Sequence, residues 1–434
     1  MNRSRVFAAA ALVAACLPSM AFGQPAAGRG GRGGPAVVSP EVSADGHVTF
    51  RLLAPDAAAV TFLDDDFAPM LSAGGPGPLA GSTTPAVPAG TKVPAGGLVF
   101  TKGPNGIWET SFGPLPPGAY RYAFQVDGAR VIDPANTHTS ESNTLVWSLF
   151  SVPGSPLMDT RDVPHGAVAS VFYYSAVLKT TRRMHIYTPP GYEAGNQKYP
   201  VFYLLHGAMD TDDAWTSVGR AGFILDNLLA DKKIKPMIVV MPAGHQPGQT
   251  GMPAAAPASG AGGAPAVNPF TSEFMTDMLP YVEKHYRVIP DRQHRAIAGL
   301  SMGGSQTLDI AFRHLDMFAY IGVFSSGASL GGGRRGPAAG AAPAAATAAP
   351  APAAPPQNDW ETQHLANLDN AALKKGLKLI WLSTGVDDGL ITNTRSTVEM
   401  LKKHGFQPVF QESAGAHSWF NWRNYLIEFT PRLF

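Results

Sequence analysis

The chain has 434 residues, 45% of them hydrophobic, enough for a sizeable core and for two domains or one large domain with insertions. A formal net charge of +1 leaves no electrostatic footprint for nucleic acid or for an anionic membrane surface. Cys16 is the single cysteine, so no disulfide framework is available.

Residues 1–23 read as a targeting segment. Arg3 and Arg5 form a basic start, Val6 to Ala15 an apolar run, and Ala21-Phe22-Gly23 a small-residue cleavage site before Gln24. The run is shorter than the roughly 20 apolar residues that span a bilayer, and no other stretch comes close. The expectation is therefore a secreted or periplasmic protein with no integral membrane segment. Val13-Ala14-Ala15-Cys16 also resembles a lipobox, and lipid anchoring through Cys16 is the less favoured alternative.

A Gly/Arg-rich linker follows over residues 24–36, and three further stretches are dominated by Ala, Pro and Gly: Leu71 to Gly97, residues 247–269 and residues 330–356. Such composition buries too little apolar surface to offset the entropy of ordering, so the three read as loop insertions. Two arginines in "GRGGRGG" suit a linker better than a nucleic-acid tail.

Residues 37–153 read as all-β. "HVTFRLLAP", "AAVTFLD", "GIWETSF", "GAYRYAFQVDG" and "TLVWSLF" are short runs of β-branched and aromatic residues separated by turn signals, the pattern of a small Ig-like sandwich. Tyr120, Tyr122, Phe124 and Val126 fall on one face by the period-two rule and suit a core stripe. Trp108 and Trp147 have the chemistry to stack on a sugar, although a buried tryptophan is the commoner role.

From about Arg161 to the end, strands alternate with helices. "RRMHIYTPPGY", "YPVFYLLHG", "PMIVVMPAG", "HRAIAGLS", "MFAYIGVFSS", "LKLIWLSTG" and "FQPVFQES" read as strands; "AGFILDNLLAD", "FTSEFMTDMLPYVEKHY", a segment from Gly303 and "RSTVEMLKKHG" read as helices. Several of the strands are continuously apolar, as strands covered on both faces must be. The expected fold class is α/β, a mostly parallel sheet with helices on both faces, preceded by the sandwich.

In such a sheet ligands bind beyond the carboxyl ends of the strands, and four of those ends carry the residue types of acyl transfer. His206-Gly207-Ala208 follows one strand, Ser301 another, Asp387 and Asp388 a third, and His417 the last. A serine hydroxyl is a poor nucleophile at neutral pH and needs an imidazole to take its proton and a carboxylate to orient the imidazole. In "GLSMG", Gly299 and Gly303 leave room for the sharp turn that lifts Ser301 clear. The Met302 amide is placed to donate to a developing oxyanion, and Ala208 is the candidate for the second donor. The order nucleophile, acid, base is that of α/β-hydrolases.

Each residue also has a plainer role to weigh. Serine at a strand-to-helix turn is a common helix cap, and a histidine in the aromatic-rich "AGAHSWFNW" would pack without reacting. Spacing alone does not separate Asp387 from Asp388. His206 is better suited to shaping the oxyanion loop than to moving protons, since a second base has no task. Trp215, Trp419 and Trp422 are candidates for an aromatic substrate pocket, with core packing an equal alternative. The 12 histidines form no H-E-x-x-H string, "LDDDF" lacks the pattern of a calcium loop, and no dinucleotide or Walker fingerprint occurs, so neither metal nor cofactor is expected.

"YPVFYLLHG", "DNLLADKKIKPMIVVMP", "HRAIAGLSMGG", "FAYIGVFS", "STGVDDGL" and "GAHSWFNWRNYL" together resemble the esterase D-like hydrolases, in particular bacterial feruloyl esterases of the first carbohydrate esterase family. The resemblance runs over residues 161–434. The stretch "LPPGAYRYAFQVDGARVIDPAN" is similar to the early-set, family 48 carbohydrate-binding-type module that often precedes such enzymes. The resemblance implies Ser301 as nucleophile, His417 as base, Asp388 as acid (the last place of a Gly-x-x-Asp string at Gly385), and Ala208 and Met302 as oxyanion amides. It departs from the family where further glycines often follow His-Gly, since Ala208-Met209-Asp210 stand there. The implied activity is hydrolysis of feruloyl or acetyl esters on plant cell-wall polysaccharide, with a siderophore ester, another exported ester or an inert carbohydrate-binding role as alternatives. Oligomeric state leaves no mark in the sequence.

Overall fold

In the computed structural model, residues 37–64, 100–249, 267–328 and 359–434 are described. The expected targeting segment and linker and the expected insertions at Leu71 to Gly97 and 330–356 lie outside the described residues, as does most of that at 247–269. Val37–Phe434 forms one compact unit.

The first nine strands are β1 (Glu41–Val42), β2 (Val48–Leu53), β3 (Val60–Asp64), β4 (Thr101–Lys102), β5 (Ile107–Phe112), β6 (Gly118–Val126), β7 (Ala129–Val131), β8 (Thr139–Glu141) and β9 (Val146–Val152). They build two antiparallel sheets, β1-β2-β5-β4 and β3-β6-β9-β8, with β7 pairing β6. Phe50 of the first sheet meets Tyr122 and Phe150 of the second at ring distances of 4.8 and 5.4 Å, so the sheets pack face to face as a sandwich. Tyr120, Tyr122 and Phe124 are buried in that core, with Val126 at its edge. Trp108 and Trp147 are buried too: the Trp108 indole donates to the Ala54 carbonyl, and the Arg130 guanidinium lies 3.7 Å over the Trp147 ring. Neither presents an open face for a sugar. Arg121 and Ala123, on the opposite face of β6, are equally buried, because that face packs on the second half of the molecule.

That half is an eight-stranded sheet. Its strands are β10 (Ala167–Ser175), β11 (Thr180–Thr188), β12 (Val201–Leu205), β13 (Ile238–Pro242), β14 (Arg295–Leu300), β15 (Tyr320–Phe324), β16 (Leu379–Gly385) and β17 (Val409–Ser413). The order is β10-β11-β13-β12-β14-β15-β16-β17, antiparallel through β10, β11 and β13 and parallel from β13 to β17. The helices are α1 (Ala221–Ala230), α2 (Pro269–Glu273), which runs through a π-turn at Phe274–Met278 into α3 (Leu279–His285), α4 (Met302–Arg313), α5 (Asp359–Leu368), α6 (Ala371–Lys375), α7 (Ile391–Lys403) and α8 (Trp419–Phe429).

Alternation along the parallel strands sorts the core into two layers. Val201, Tyr203 and Leu205 pack with α2, α3, α4 and α7, whereas Phe202 and Leu204 pack with α1 and α8. Helices therefore cover both faces, the α/β-hydrolase fold expected from the strand pattern. Four elements depart from expectation. β10 is an edge strand exposed along most of its length, so "AVASVFYYS" carries neither a continuous apolar run nor clean alternation. α5 and α6 are short and were not anticipated. α8, which begins at Trp419 in the aromatic-rich segment, is not among the expected helices; nine of its eleven residues are buried, which erases the one-sided stripe that marks a surface helix.

Candidate active site

Strand β14 delivers Ser301 at its carboxyl end, and α4 starts at the next residue. Ser301 has φ 51° and ψ −115°, a backbone conformation that a side-chain-bearing residue adopts only under strain of about 1–3 kcal/mol. The surroundings hold it there: the Ser301 N–H donates to the Phe324 carbonyl at 2.8 Å, and the Ser326 hydroxyl donates to the Ser301 carbonyl at 2.7 Å. Glycines make the turn possible. A Cβ on Gly299 would sit 2.4 Å from the Gly303 backbone, and one on Gly303 would sit 2.6 Å from the His206 carbonyl oxygen.

The Ser301 Oγ lies 3.0 Å from His417 Nε2, and His417 Nδ1 lies 2.9 Å from Asp388 Oδ2. The carboxylate accepts, so the proton of the neutral imidazole belongs on Nδ1 and Nε2 is left to accept from the serine hydroxyl. Asp388 is the buried member of the aspartate pair and also accepts the Leu390 N–H at 2.8 Å, whereas Asp387 is exposed. Burial by itself would push the Asp388 carboxyl up. The His417 imidazole, the Leu390 amide and the Ser325 hydroxyl more than offset this and hold it below its ordinary value.

The loop after β12 closes the site. A Cβ on Gly207 would lie 3.6 Å from Ser301 Cβ, so this backbone runs directly over the serine. His206 is fully buried, its Nδ1 2.7 Å from the Gly207 carbonyl oxygen and its Nε2 accepting the Gly244 N–H at 2.8 Å. Burial depresses its pKa to about 4, so it is a neutral donor–acceptor bridge at neutral pH and has no contact that would make it a base. Ala208 lies in this loop and Met302 opens α4, so both candidate oxyanion amides flank the serine, and the positive end of the α4 dipole is directed at the same place.

The three tryptophans proposed for a substrate pocket need correction. Trp215 and Trp419 are each 1% exposed, pack edge to face at 5.0 Å and belong to the core layer under α1 and α8; they have no surface to offer a ligand. Trp422 is also buried. It stands perpendicular to the His417 ring at 4.9 Å and donates its indole N–H to Ser325 Oγ at 3.0 Å, supporting the imidazole from behind. Ser325 and Ser326 were missed, although they too follow a buried strand, and inspecting the end of β15 would have found them. Among the described residues there is no grouping of acidic, His or Cys side chains that would hold a metal ion, and no helix is long and apolar enough to cross a membrane.

A family model described as "Putative esterase" matches residues 175–433, more than half of the chain. The chain belongs to this esterase family. The esterase is 31% identical over 296 residues to an endo-1,4-beta-xylanase/feruloyl esterase of Xylanibacter ruminicola, a match covering 66% of this chain and 36% of that protein. The chain thus spans about a third of that relative's length. Among solved structures, a mutant of the feruloyl esterase module from Clostridium thermocellum, in complex with sinapinate, aligns with a TM-score of 0.50 at 22% identity, covering 68% of this chain and 95% of that one. The enterobactin esterase of Shigella flexneri, crystallised with 2,3-di-hydroxy-N-benzoyl-serine, aligns with a TM-score of 0.54 at 14% identity, covering 89% of this chain and 92% of that one. At these identities both likenesses speak for the fold alone.

Proposed function

We propose that the esterase cleaves acyl esters, feruloyl or acetyl, on plant cell-wall polysaccharide such as arabinoxylan, through a covalent intermediate on Ser301. The observation that carries the mechanism is the chain from Ser301 Oγ to His417 Nε2 at 3.0 Å and from His417 Nδ1 to Asp388 at 2.9 Å. Ser301 Oγ attacks the ester carbonyl carbon while His417 Nε2 takes its proton, and Asp388 steadies the imidazolium. The Ala208 and Met302 amides stabilise the negative charge that forms on the carbonyl oxygen. As the tetrahedral adduct collapses, the bond to the alcohol oxygen breaks and His417 returns its proton to that oxygen, leaving the acyl group on Ser301. A water molecule, deprotonated by His417, then attacks the acyl-enzyme; the free acid departs and Ser301 regains its proton.

The substrate class is supported by the Xylanibacter relative, whose name joins a xylanase to a feruloyl esterase. Residues 37–153 fit a carbohydrate-binding-type module ahead of an esterase domain at 161–434. Residues 1–23 fit an export signal, with the mature chain beginning at Gln24, or with a lipid on Cys16 as the alternative. Replacing Ser301 by Ala is expected to abolish turnover of methyl ferulate and p-nitrophenyl acetate and labelling by a fluorophosphonate, with the fold intact by circular dichroism. Retained turnover overturns the mechanism. Feruloylated arabinoxylan and a catecholate siderophore ester assayed side by side decide the substrate class, and xylan binding without fluorophosphonate labelling of the wild type would instead mark an inert, sugar-binding protein.

A further inference from the structure

The loop that carries Ala208 is held from two sides, and one of the two holders belongs to the sandwich. On the hydrolase side, the Gly207 carbonyl is fixed by His206 Nδ1 and by the Asp210 N–H, at 2.7 and 3.1 Å. On the sandwich side, the turn between β8 and β9 reaches over the same residues. The Asn143 N–H donates to the Met209 carbonyl at 2.9 Å, Asn143 Nδ2 donates to the Ala208 carbonyl at 3.3 Å, and Ser142 forms an antiparallel bridge with Asp210. Arg121 of β6 anchors the end of the loop through Asp210 Oδ1 at 2.6 Å, and its Nη2 donates to the Glu141 carbonyl at the base of the turn.

Geometry gives this clamp a consequence. In a trans peptide the N–H and the preceding C=O share one plane and point opposite ways. Fixing the Gly207 carbonyl therefore aims the Ala208 N–H, and fixing the Ala208 and Met209 carbonyls stops the next two planes from rotating it away. The family's further glycines are absent from this loop, which reads Ala208-Met209-Asp210, and each of these residues is bound by the sandwich through its backbone, its side chain or both.

We infer that Asn143, from the amino-terminal sandwich, is a positioning residue for ester hydrolysis, acting through the Ala208 amide. This rests on the reading of Ala208 as an oxyanion donor under Proposed function. The sandwich then forms part of the catalytic apparatus, whether or not it also binds sugar.

The test uses the full chain with Asn143→Asp, which keeps the size but replaces the donor with an acceptor, and Asn143→Ala. Asn143 lies on a partly exposed turn, so neither change empties the core. For methyl ferulate, kcat is expected to fall roughly 10- to 100-fold, the cost of a small misplacement of a catalytic group, with KM within about twofold and the melting temperature unchanged. Inhibition by an arylboronic acid, which forms a tetrahedral adduct on Ser301, should weaken by a similar factor. Wild-type kcat and boronate inhibition in both variants overturn the inference, as does a loss confined to KM. Ser301→Ala run in parallel keeps the two readings apart: its retained activity defeats the nucleophile, while an inert Ser301→Ala beside fully active Asn143 variants defeats the positioning role alone.

Discussion

At neutral pH the His206 imidazole is uncharged and bridges two backbone segments, Gly207 and Gly244, beside Ser301. Its pKa is depressed to about 4 by burial, against about 6.5 in an unfolded chain. The folded state therefore resists a proton that the unfolded state accepts. The resulting penalty is absent above about pH 6.5, grows as pH falls and is complete near pH 4. Over that window the group alone removes roughly 3 kcal/mol of stability, at 1.36 kcal/mol per pH unit. His245, whose ring lies 5.4 Å from that of His206, is likewise depressed to about 4 by burial and adds to the fall. His206→Asn isolates the first share. In urea titrations the wild type should be the more stable at pH 7, and its advantage should shrink by about 2–3 kcal/mol at pH 4. An advantage that is independent of pH would mean that burial does not lower the pKa of His206 and that the folded chain takes up the proton as readily as the unfolded one.

The strand-to-helix turn at Ser301 depends on space that one methyl group would fill. Gly303 sits at the first turn of α4 under the β12 loop, and a Cβ there would come within 2.8 Å of Leu205 C and 2.6 Å of the His206 oxygen, backbone atoms that cannot swing aside. Gly303→Ala is thus expected to cost about 1–3 kcal/mol in stability and to lower kcat more than KM, because relief of the clash displaces the loop after β12 from Ser301. Equal melting temperature and kcat in Gly303→Ala and wild type would refute this. The same turn explains why the elements around the site were legible in the sequence. β12, residues 296–300 of β14 and residues 379–382 of β16 are apolar runs that lead into chemistry-bearing residues, and the flanking glycines have a steric reason visible in the string itself. Spacing alone does not separate Asp388 from Asp387; the family resemblance points to Asp388, and in the structure burial distinguishes the two. The tryptophans misled because aromatic content near a histidine reads the same whether the rings line a cleft or, as in α8, fill the core. The hold of Asn143 on the Ala208 loop spans 65 residues and left no local pattern.

The two halves of the molecule share more than a border. Phe420 of α8 packs in the sandwich core, and Arg423 of the same helix donates to the carbonyls of Ala119 in β6 and Val218 in the hydrolase half, at 2.9 and 3.0 Å. Arg121 completes the seam: it has no exposed side-chain surface, and its guanidinium pairs with Asp210, whose side chain is 5% exposed. A pair buried this deeply brings little net stabilisation, but removing one partner strands the other charge, at a cost of about 3–5 kcal/mol. Arg121→Met should therefore be strongly destabilising, while Arg121→Met combined with Asp210→Asn should recover part of the loss, the signature of a direct coupling in a double-mutant cycle. Because the seam joins both cores, calorimetry of the wild type should show one transition, in which near-ultraviolet signals from the sandwich aromatics and from the hydrolase tryptophans move together. In Arg121→Met that single transition should shift down whole. A variant in which the sandwich melts first, leaving the hydrolase half folded and active, would show that the seam is an adhesion between independent domains and that the Ala208 loop stands without it.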